Sequence, residues 1–162
     1  SGSGDVYVSD WRNDRIQKFT ADAEFIFAFG KSGSEDGELN RPAGVAVDMD
    51  GDIYVADWGN RRVQLFNHEG RYIQKFLGDA TMSKSTVDYM MLNKKSIRLL
   101  DTGNVDERKL LDPPRSVRVD DQGRMFIPDV DSYRVQIYQK QVVRLGPDDL
   151  APPVRAATLM GN

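Results

Sequence analysis

Three aspartate–arginine pairs recur along the chain, each with a spacing of five residues. The pairs are Asp10 with Arg15, Asp57 with Arg62, and Asp129 with Arg134. Such charges can bind each other through parallel hydrogen bonds, or they can bind a charged ligand. Because a motif present in every copy of a repeat serves the repeat itself, we interpret these six residues as structural ion pairs that fix a turn. The alternative is a ring of ligand-binding charges.

The segments between the paired charges carry aromatic and charged side chains, which are residue types that dominate binding energy at protein interfaces. The candidates are Trp11, Arg12, Asp14, Trp58, Asn60, Arg61, Asp131 and Tyr133. We expect them to emerge on one face of the molecule and to form a binding surface. The alternative is that Trp11 and Trp58 pack between neighbouring sheets.

Other residues give only weak indications of metal binding or catalysis. Asp48, Asp50 and Asp52 alternate like calcium ligands, but the loop lacks a distal glutamate, and Asp-Gly is typical of a hairpin turn. His68 is the sole histidine, and one imidazole cannot build a zinc site. Asp48 and Asp120 are the weak candidates for a metal at the centre of the fold. We therefore expect no cofactor, no metal and no catalytic residues.

Composition limits the class of partner. The chain has 162 residues, 40% of them hydrophobic and 29% charged, which is enough for one ordinary domain. Its net charge of −3 and its basic residues interspersed with acidic ones argue against a nucleic-acid partner. No apolar run approaches the roughly 20 residues of a membrane helix, so we expect no membrane insertion. Cysteine is absent, which excludes disulfides without fixing the compartment.

These side chains are positioned by three copies of one strand pattern. Residues 39–78 form a complete unit of four short runs rich in Val, Ile, Tyr and Phe, each closed by Gly, Asp or Asn. Residues 5–30 repeat it at an offset of 47 but lack the first strand, and residues 113–146 repeat it at an offset of 72 without a clear fourth strand. A constant offset over ten or more positions is a strong repeat signal.

The remaining segments have a different character. The spacing of Val87, Met90 and Ile97 predicts a helical insertion over residues 79–112. Residues 147–162 contain three prolines and are predicted to be irregular, while residues 1–4 resemble an expression tag or linker.

Alternation within the strands predicts sheets that are covered on both faces. Val45 and Val47 share one face of the first strand and Ala46 the other, while Ile53 and Val55 oppose Tyr54 and Ala56. Repeated four-stranded sheets arranged radially form a β-propeller, so the predicted fold class is all-β.

The segment RPAGVAVDMDGDIYVADWGNRRVQLFNHEGRYIQKF resembles an NHL repeat, and the resemblance extends over residues 5–30, 39–78 and 113–138. NHL proteins are commonly six-bladed propellers, which implies that this chain holds half of a ring. An open three-bladed wedge would expose two sheet faces and unpaired strand edges. We therefore expect a non-catalytic module for protein interaction whose partner is a second copy of the chain, closing the ring head to tail. The alternatives are a piece of a longer propeller, a propeller hydrolase or lyase with an axial metal, and an RNA-binding module.

Overall fold

A computed structural model describes residues 4–78, 111–130 and 133–140 of the chain. Within these ranges the chain forms ten short strands and a single turn of 3₁₀ helix at Trp58–Asn60. The strands are β1 (Val6–Asp10), β2 (Arg15–Phe19), β3 (Phe25–Phe29), β4 (Pro42–Val47), β5 (Ile53–Asp57), β6 (Arg62–Phe66), β7 (Tyr72–Phe76), β8 (Arg118–Val119), β9 (Arg124–Asp129) and β10 (Arg134–Gln139). Each strand is two to six residues long, as the closely spaced turn residues predict.

The strands form three antiparallel sheets in sequence order, which are called blades 1, 2 and 3. Blade 1 contains β1–β3, blade 2 contains β4–β7, and blade 3 contains β8–β10. Strand β4 of blade 2 lies against β1 on one side and against β8 on the other, so the early strands of the three blades gather together. The fold is therefore all-β and composed of propeller blades, as the sequence predicts.

Aspartate side chains shape the turn between the first two strands of blades 2 and 3. Asp48 Oδ1 accepts hydrogen bonds from the backbone amides of Asp50 and Asp52, each at 3.0 Å. Asp120 Oδ1 accepts the equivalent bonds from Gln122 at 3.0 Å and Arg124 at 2.8 Å. These hydrogen bonds satisfy backbone amides that have no partner strand at the point where the chain reverses direction.

Two clusters of buried side chains lie between the blades, one at each interface. Ile16, Leu39, Ile53, Val55 and Phe66 fill the space between blades 1 and 2. Tyr54, Ala56, Val63, Leu65, Leu111, Val117, Met125 and Ile127 fill the space between blades 2 and 3. Successive residues of β5 enter opposite clusters, which is the division of faces that the alternation predicts. Blade 2 is thus covered on both sides by its neighbours.

The predicted helical insertion is not supported. Residues 79–110 lie outside the described residues, and residues 111–112, where the predicted insertion ends, adopt no helical conformation. Residues 141–146 of the third repeat and the tail 147–162 also lie outside the described ranges. No helix in the described part of the chain combines the length and apolar character needed to cross a membrane.

Candidate functional site

All three aspartate–arginine pairs form ion pairs at the turn between the second and third strand of each repeat. The distance from arginine Nε to aspartate Oδ2 is 2.8 Å for Arg15–Asp10, 2.7 Å for Arg62–Asp57 and 2.7 Å for Arg134–Asp129. A glutamine from the third strand donates to the same oxygen in every blade. These bonds are Gln17–Asp10 at 3.1 Å, Gln64–Asp57 at 3.1 Å and Gln136–Asp129 at 3.2 Å. The sequence analysis assigned no role to these glutamines, although their recurrence at the repeat offsets is a readable signal.

In blade 2 the ion pair also anchors the segment that arrives from blade 1. The Arg62 guanidinium donates to the backbone carbonyls of Ser34, Glu35 and Glu38 at 2.8–2.9 Å. Asp57 Oδ1 accepts the backbone amide of Asn40 at 2.7 Å. Asp129 repeats this last contact by accepting the amide of Asp112 at 3.3 Å. The charges at these positions therefore connect consecutive blades as well as fixing a turn.

The first pair lies in a more open setting. The Arg15 side chain is 43% exposed, whereas that of Arg62 is 5% exposed. Hydrogen bonds from Asn13 and then Arg15 hold the pKa of the Asp10 carboxyl below its ordinary value. The same motif thus occurs in a buried environment in blade 2 and in a more solvated one in blade 1, while Arg134 of blade 3 is intermediate at 32% exposed.

The predicted binding-surface residues divide into two groups. Trp11, Arg12, Asp14 and Trp58 line two adjoining hollows on one face of blades 1 and 2. Asn60 and Arg61 line neither of these hollows. The Asn60 amide donates to the carbonyl of Gly33 and to Asp57, and Arg61 forms an ion pair with Asp112 at 2.9 Å.

The blade 3 members of the predicted surface do not join these hollows in the described part of the structure. Tyr133 is 97% exposed and has a left-handed φ of 51°. Asp14 and Arg61, its equivalents at the repeat offsets, have φ values of 52° and 54°. Asp131 lies outside the described residues. The three equivalent residues therefore share a turn conformation but not a common surface.

The larger of the two hollows has a volume of about 470 Å³ and is called the Trp–Arg hollow. It is lined by Ser9, Trp11, Arg41, Pro42, Ala43, Trp58 and Arg115. Arg41 lies over the Trp58 ring, with Cζ 6.0 Å from the ring centroid, and Arg12 lies over Trp11 at 5.4 Å. Such guanidinium–indole contacts are attractive and keep the cation beside an apolar surface.

Ser9, Arg41 and Arg115 were not among the site residues predicted from the sequence. Arg41 and Arg115 come directly before or near the first strands of blades 2 and 3, and those strands lie next to each other in the fold. The location of Arg41 and Arg115 beside two adjacent strands is the sequence signal that could have identified them. The Ser9 hydroxyl is the one buried side-chain polar atom without a hydrogen-bond partner in the described ranges. Leaving such a group unpaired costs about 1–3 kcal/mol.

A second charged cluster joins blades 2 and 3. Lys140 Nζ lies 2.7 Å from Asp48 Oδ2, 2.7 Å from Asp50 Oδ2 and 2.8 Å from Asp52 Oδ2. Burial alone would lower the pKa of Lys140, but hydrogen bonds to the three carboxylates outweigh burial and raise it above its ordinary value. The Lys140 ammonium thus contacts all three aspartates that resemble a calcium loop in the sequence and offsets part of their negative charge.

No group of three or more His, Cys, Asp or Glu side chains is arranged to hold a metal ion in the described ranges. Asp120 instead accepts a hydrogen bond from the Arg124 guanidinium at 2.7 Å. His68 is exposed in the turn between β6 and β7. Neither residue belongs to a group of three potential metal ligands among the residues that the structure describes.

We expect Lys140→Met to lower the free energy of unfolding by about 1–2 kcal/mol at neutral pH, because three carboxylates then face each other without a cation. In the wild type, the Lys140 hydrogen bond lowers the pKa of Asp50 from its ordinary 3.8, so that stabilisation is present above pH 3.8 and is lost as the pH falls below it. In the variant, repulsion raises the carboxylate pKa values, so the loss should shrink as the pH falls.

Urea unfolding of both proteins at about pH 7 and about pH 5 measures this difference. Lys75→Met is the matched control, because its ion pair with Asp36 at 2.7 Å joins two half-exposed side chains. The control should change stability much less than Lys140→Met does at neutral pH, because solvent screens its two charges. A Lys140→Met penalty that grows on acidification would contradict the cluster's role.

Comparison with known proteins agrees with the blade architecture. The sheets define the class as a β-propeller. Residues 39–66, which span β4 to β6 of blade 2, match the family model for the NHL repeat. The chain is therefore a partial propeller that carries an NHL repeat. A search of curated protein sequences found no match.

Solved structures resemble the chain at low sequence identity. A Bacteroides thetaiotaomicron protein of unknown function is 16% identical, with a TM-score of 0.54 over 83% of this chain and 32% of that protein. Streptogramin B lyase is 13% identical, with a TM-score of 0.48 over 86% of this chain and 38% of the lyase. Hydrazine synthase of Kuenenia stuttgartiensis is 11% identical, with a TM-score of 0.46 over 75% of this chain and 24% of the synthase.

The likeness to the Bacteroides protein concerns the fold alone. The chain spans between 24% and 38% of the length of these three structures. Each match thus covers much of this chain but a minor part of the larger protein.

Proposed function

We propose that this chain is a non-catalytic propeller module that assembles with a second copy of itself, head to tail, through the outer faces of blades 1 and 3. The observation that carries the proposal is a difference in exposure between equivalent positions. Residues that are buried in blade 2 are exposed in the two flanking blades. Contiguous exposed apolar surface of this kind is typical of an interaction site.

The outer face of blade 1 presents the side chains that blade 2 buries against blade 1. Val6 and Val8 are 48% and 41% exposed, whereas their equivalents Ile53 and Val55 are fully buried. Phe25 extends this face and contacts Phe19 edge-on, with ring centroids 5.8 Å apart. The outer face of blade 1 therefore has the apolar character of a face that packs against a preceding blade.

The outer face of blade 3 presents the opposite type of surface. Val135 and Ile137 are 56% and 55% exposed, whereas their equivalents Val63 and Leu65 are 0% and 9% exposed between blades 2 and 3. The chain thus carries, at its two ends, the two kinds of face that already pack together at both of its internal interfaces. If the outer face of blade 1 in one chain packs against the outer face of blade 3 in a second chain, the same packing is reproduced.

The free strand edges favour the same arrangement. Within the described ranges, β1 pairs only with β2, and β10 pairs only with β9. An open edge beside an apolar face promotes uncontrolled association unless it is covered. Two three-bladed chains joined at both ends would give six blades, the number common among NHL propellers, and a closed ring limits further growth.

Mass measurement by light scattering at micromolar concentration tests the assembly. We expect a discrete particle of twice the 18.3 kDa chain mass. The variants Val8→Glu on blade 1 and Ile137→Lys on blade 3 should each be monomeric. Each substitution would bury a charge in both of the interfaces that close the ring. Leu77→Glu is the control, since Leu77 is 42% exposed, much like Val8, but lies on neither outer face.

Mixing the two single-chain variants tests the head-to-tail geometry. A Val8→Glu chain and an Ile137→Lys chain can together form one interface that contains neither substitution, so the mixture should recover a two-chain particle. Association of like faces predicts no recovery. A wild-type chain that remains at 18.3 kDa up to about 100 μM would refute self-assembly and favour blades from another polypeptide as the partner.

A further inference from the structure

The Trp–Arg hollow combines positive charge, aromatic surface and an unused hydrogen-bond donor. We propose that it binds an organic carboxylate carried next to an aromatic group, such as the C-terminal aromatic residue of a peptide. All residues of the hollow come from blades 1 and 2 and the segment preceding β8 of the same chain. Binding there therefore does not depend on the assembly proposed above.

No carboxylate among the described residues pairs with the positive charges of the hollow. Arg41 and Arg115 are exposed, and in the described part of the chain neither forms an ion pair. By contrast, Arg15, Arg61 and Arg62 each contact a carboxylate. A guanidinium presents a planar fork of donors that matches the two oxygens of a carboxylate. Two such groups at one hollow favour a compact anion.

The Ser9 hydroxyl supplies an independent indication of a ligand. It is buried, lines the hollow and has no partner among the described residues. The equivalent residues in blades 2 and 3 are Ala56 and Pro128, so packing of this strand requires no hydroxyl at that position. A carboxylate oxygen could accept a hydrogen bond from the Ser9 hydroxyl, because an ionised carboxylate is an acceptor only.

The tryptophans and the size of the hollow favour a flat apolar group beside the carboxylate. Trp11 is 51% exposed, and Trp58, whose ring lies under Arg41, also lines the hollow. The volume of about 470 Å³ suits a small ligand or one peptide terminus. A long polyanion such as RNA is less suitable, because the chain carries a net charge of −3.

Intrinsic fluorescence provides a direct binding assay, because Trp11 and Trp58 are the two tryptophans of the chain and both line the hollow. The probe is an acetylated tripeptide with a C-terminal phenylalanine and a free carboxylate. Its C-terminal amide is the neutral comparison. A second amide with glutamate beside the phenylalanine distinguishes a side-chain carboxylate from a terminal one. A single-stranded RNA oligonucleotide tests the polyanion.

We expect saturable quenching by the free-acid peptide and a Kd at least about tenfold higher for the neutral amide. Arg41→Gln and Arg115→Gln should each raise the Kd about tenfold without changing thermal unfolding. Ser9→Ala should raise the Kd about threefold without lowering the unfolding temperature, because it removes an unpaired buried hydroxyl. Arg118→Gln, an exposed arginine on β8 outside the hollow, should leave the Kd unchanged.

Several results would overturn the proposal. These are equal binding of the acid and the neutral amide, tighter binding of the oligonucleotide than of either carboxylate peptide, and no fluorescence response up to millimolar peptide. Loss of binding in Arg118→Gln to the same degree as in Arg115→Gln would show a general charge effect and would also count against the site. If the glutamate peptide binds and the free-acid peptide does not, the carboxylate is confirmed but the peptide terminus is excluded as its source.

Discussion

Arg62→Met is expected to lower the free energy of unfolding by about 3–5 kcal/mol, because it leaves a buried carboxylate without its cation. Asp57 is fully buried, and its Oδ2 lies 2.7 Å from Arg62 Nε. The substitution also removes donors from the carbonyls of Ser34, Glu35 and Glu38. Both effects act on the same contact between the incoming segment and blade 2.

Arg15→Met is the matched control in blade 1. The pair has the same residues, the same spacing and a similar distance of 2.8 Å, but the Arg15 side chain is 43% exposed. Solvent already screens this pair, so the expected loss is about 1 kcal/mol or less. Urea denaturation at equal protein concentration measures both, since any assembly makes stability concentration-dependent.

The comparison also tests the interpretation of the repeated charges. If the arginines served a ligand rather than the blades, Arg62→Met would change stability little more than Arg15→Met does. Equal losses for the two variants would therefore contradict a structural role for the Asp57–Arg62 pair. If only Arg62→Met lowers the free energy of unfolding, the stabilising effect of the ion pair comes from its burial and not from the motif itself.

Leu39→Ala is expected to cost about 2–4 kcal/mol, because it opens a cavity between blades 1 and 2. Leu39 is fully buried and packs in a cluster with Ile16, Ile53 and Phe66. Leu111, its equivalent at the offset of 72, is also fully buried, between blades 2 and 3. Leu111→Ala should therefore give a similar loss.

Leu77→Ala is the control for this prediction, since Leu77 is 42% exposed and its removal creates no enclosed cavity. Its expected effect is about 0.5 kcal/mol or less. Thermal and urea unfolding should agree on the order of the three variants. A loss below about 1 kcal/mol for Leu39→Ala would mean that the segment between the blades is not part of the core.

Much of the fold could be predicted because blade formation is a local property. The repeat offsets located blade 2 and its equivalents, and the alternation of Ile53 and Val55 with Tyr54 and Ala56 identified the two faces that the core clusters occupy. The Asp-Gly turn at residues 48–51 was predicted for the same reason, since its hydrogen bonds join residues two to four apart. Such contacts lie within one strand and its turn.

The segments between blades were harder to interpret. Residues 31–38 are rich in Gly, Ser and acidic residues and precede the first strand of blade 2, yet the adjoining Leu39 is buried and the Glu38 carbonyl binds Arg62. Periodicity could not reveal this, because a single apolar residue in a polar loop has no period. The repeat alignment of Leu39 with Leu111 contained the signal.

The Trp–Arg hollow depends on how blades 1 and 2 and the segment before β8 meet. Trp11 and Trp58 were found as turn residues, but their grouping with Arg41, Arg115 and Ser9 required the tertiary structure. Arg61 looked equally suitable as a binding residue and instead forms an ion pair with Asp112, 51 residues away. Residue type alone does not distinguish a free guanidinium from a paired one.

The sequence by itself determined the repeat, the strands, the turns and the all-β class, because each is set by side chains only a few positions apart. The tertiary structure decided which copy of a shared motif is buried, which arginines have no carboxylate partner among the described residues, and that Lys140 reaches Asp48 across 92 residues. These features depend on the packing of one blade against the next. Equivalent residues have the same local preferences, but a middle blade has two neighbours in the chain and an end blade has one.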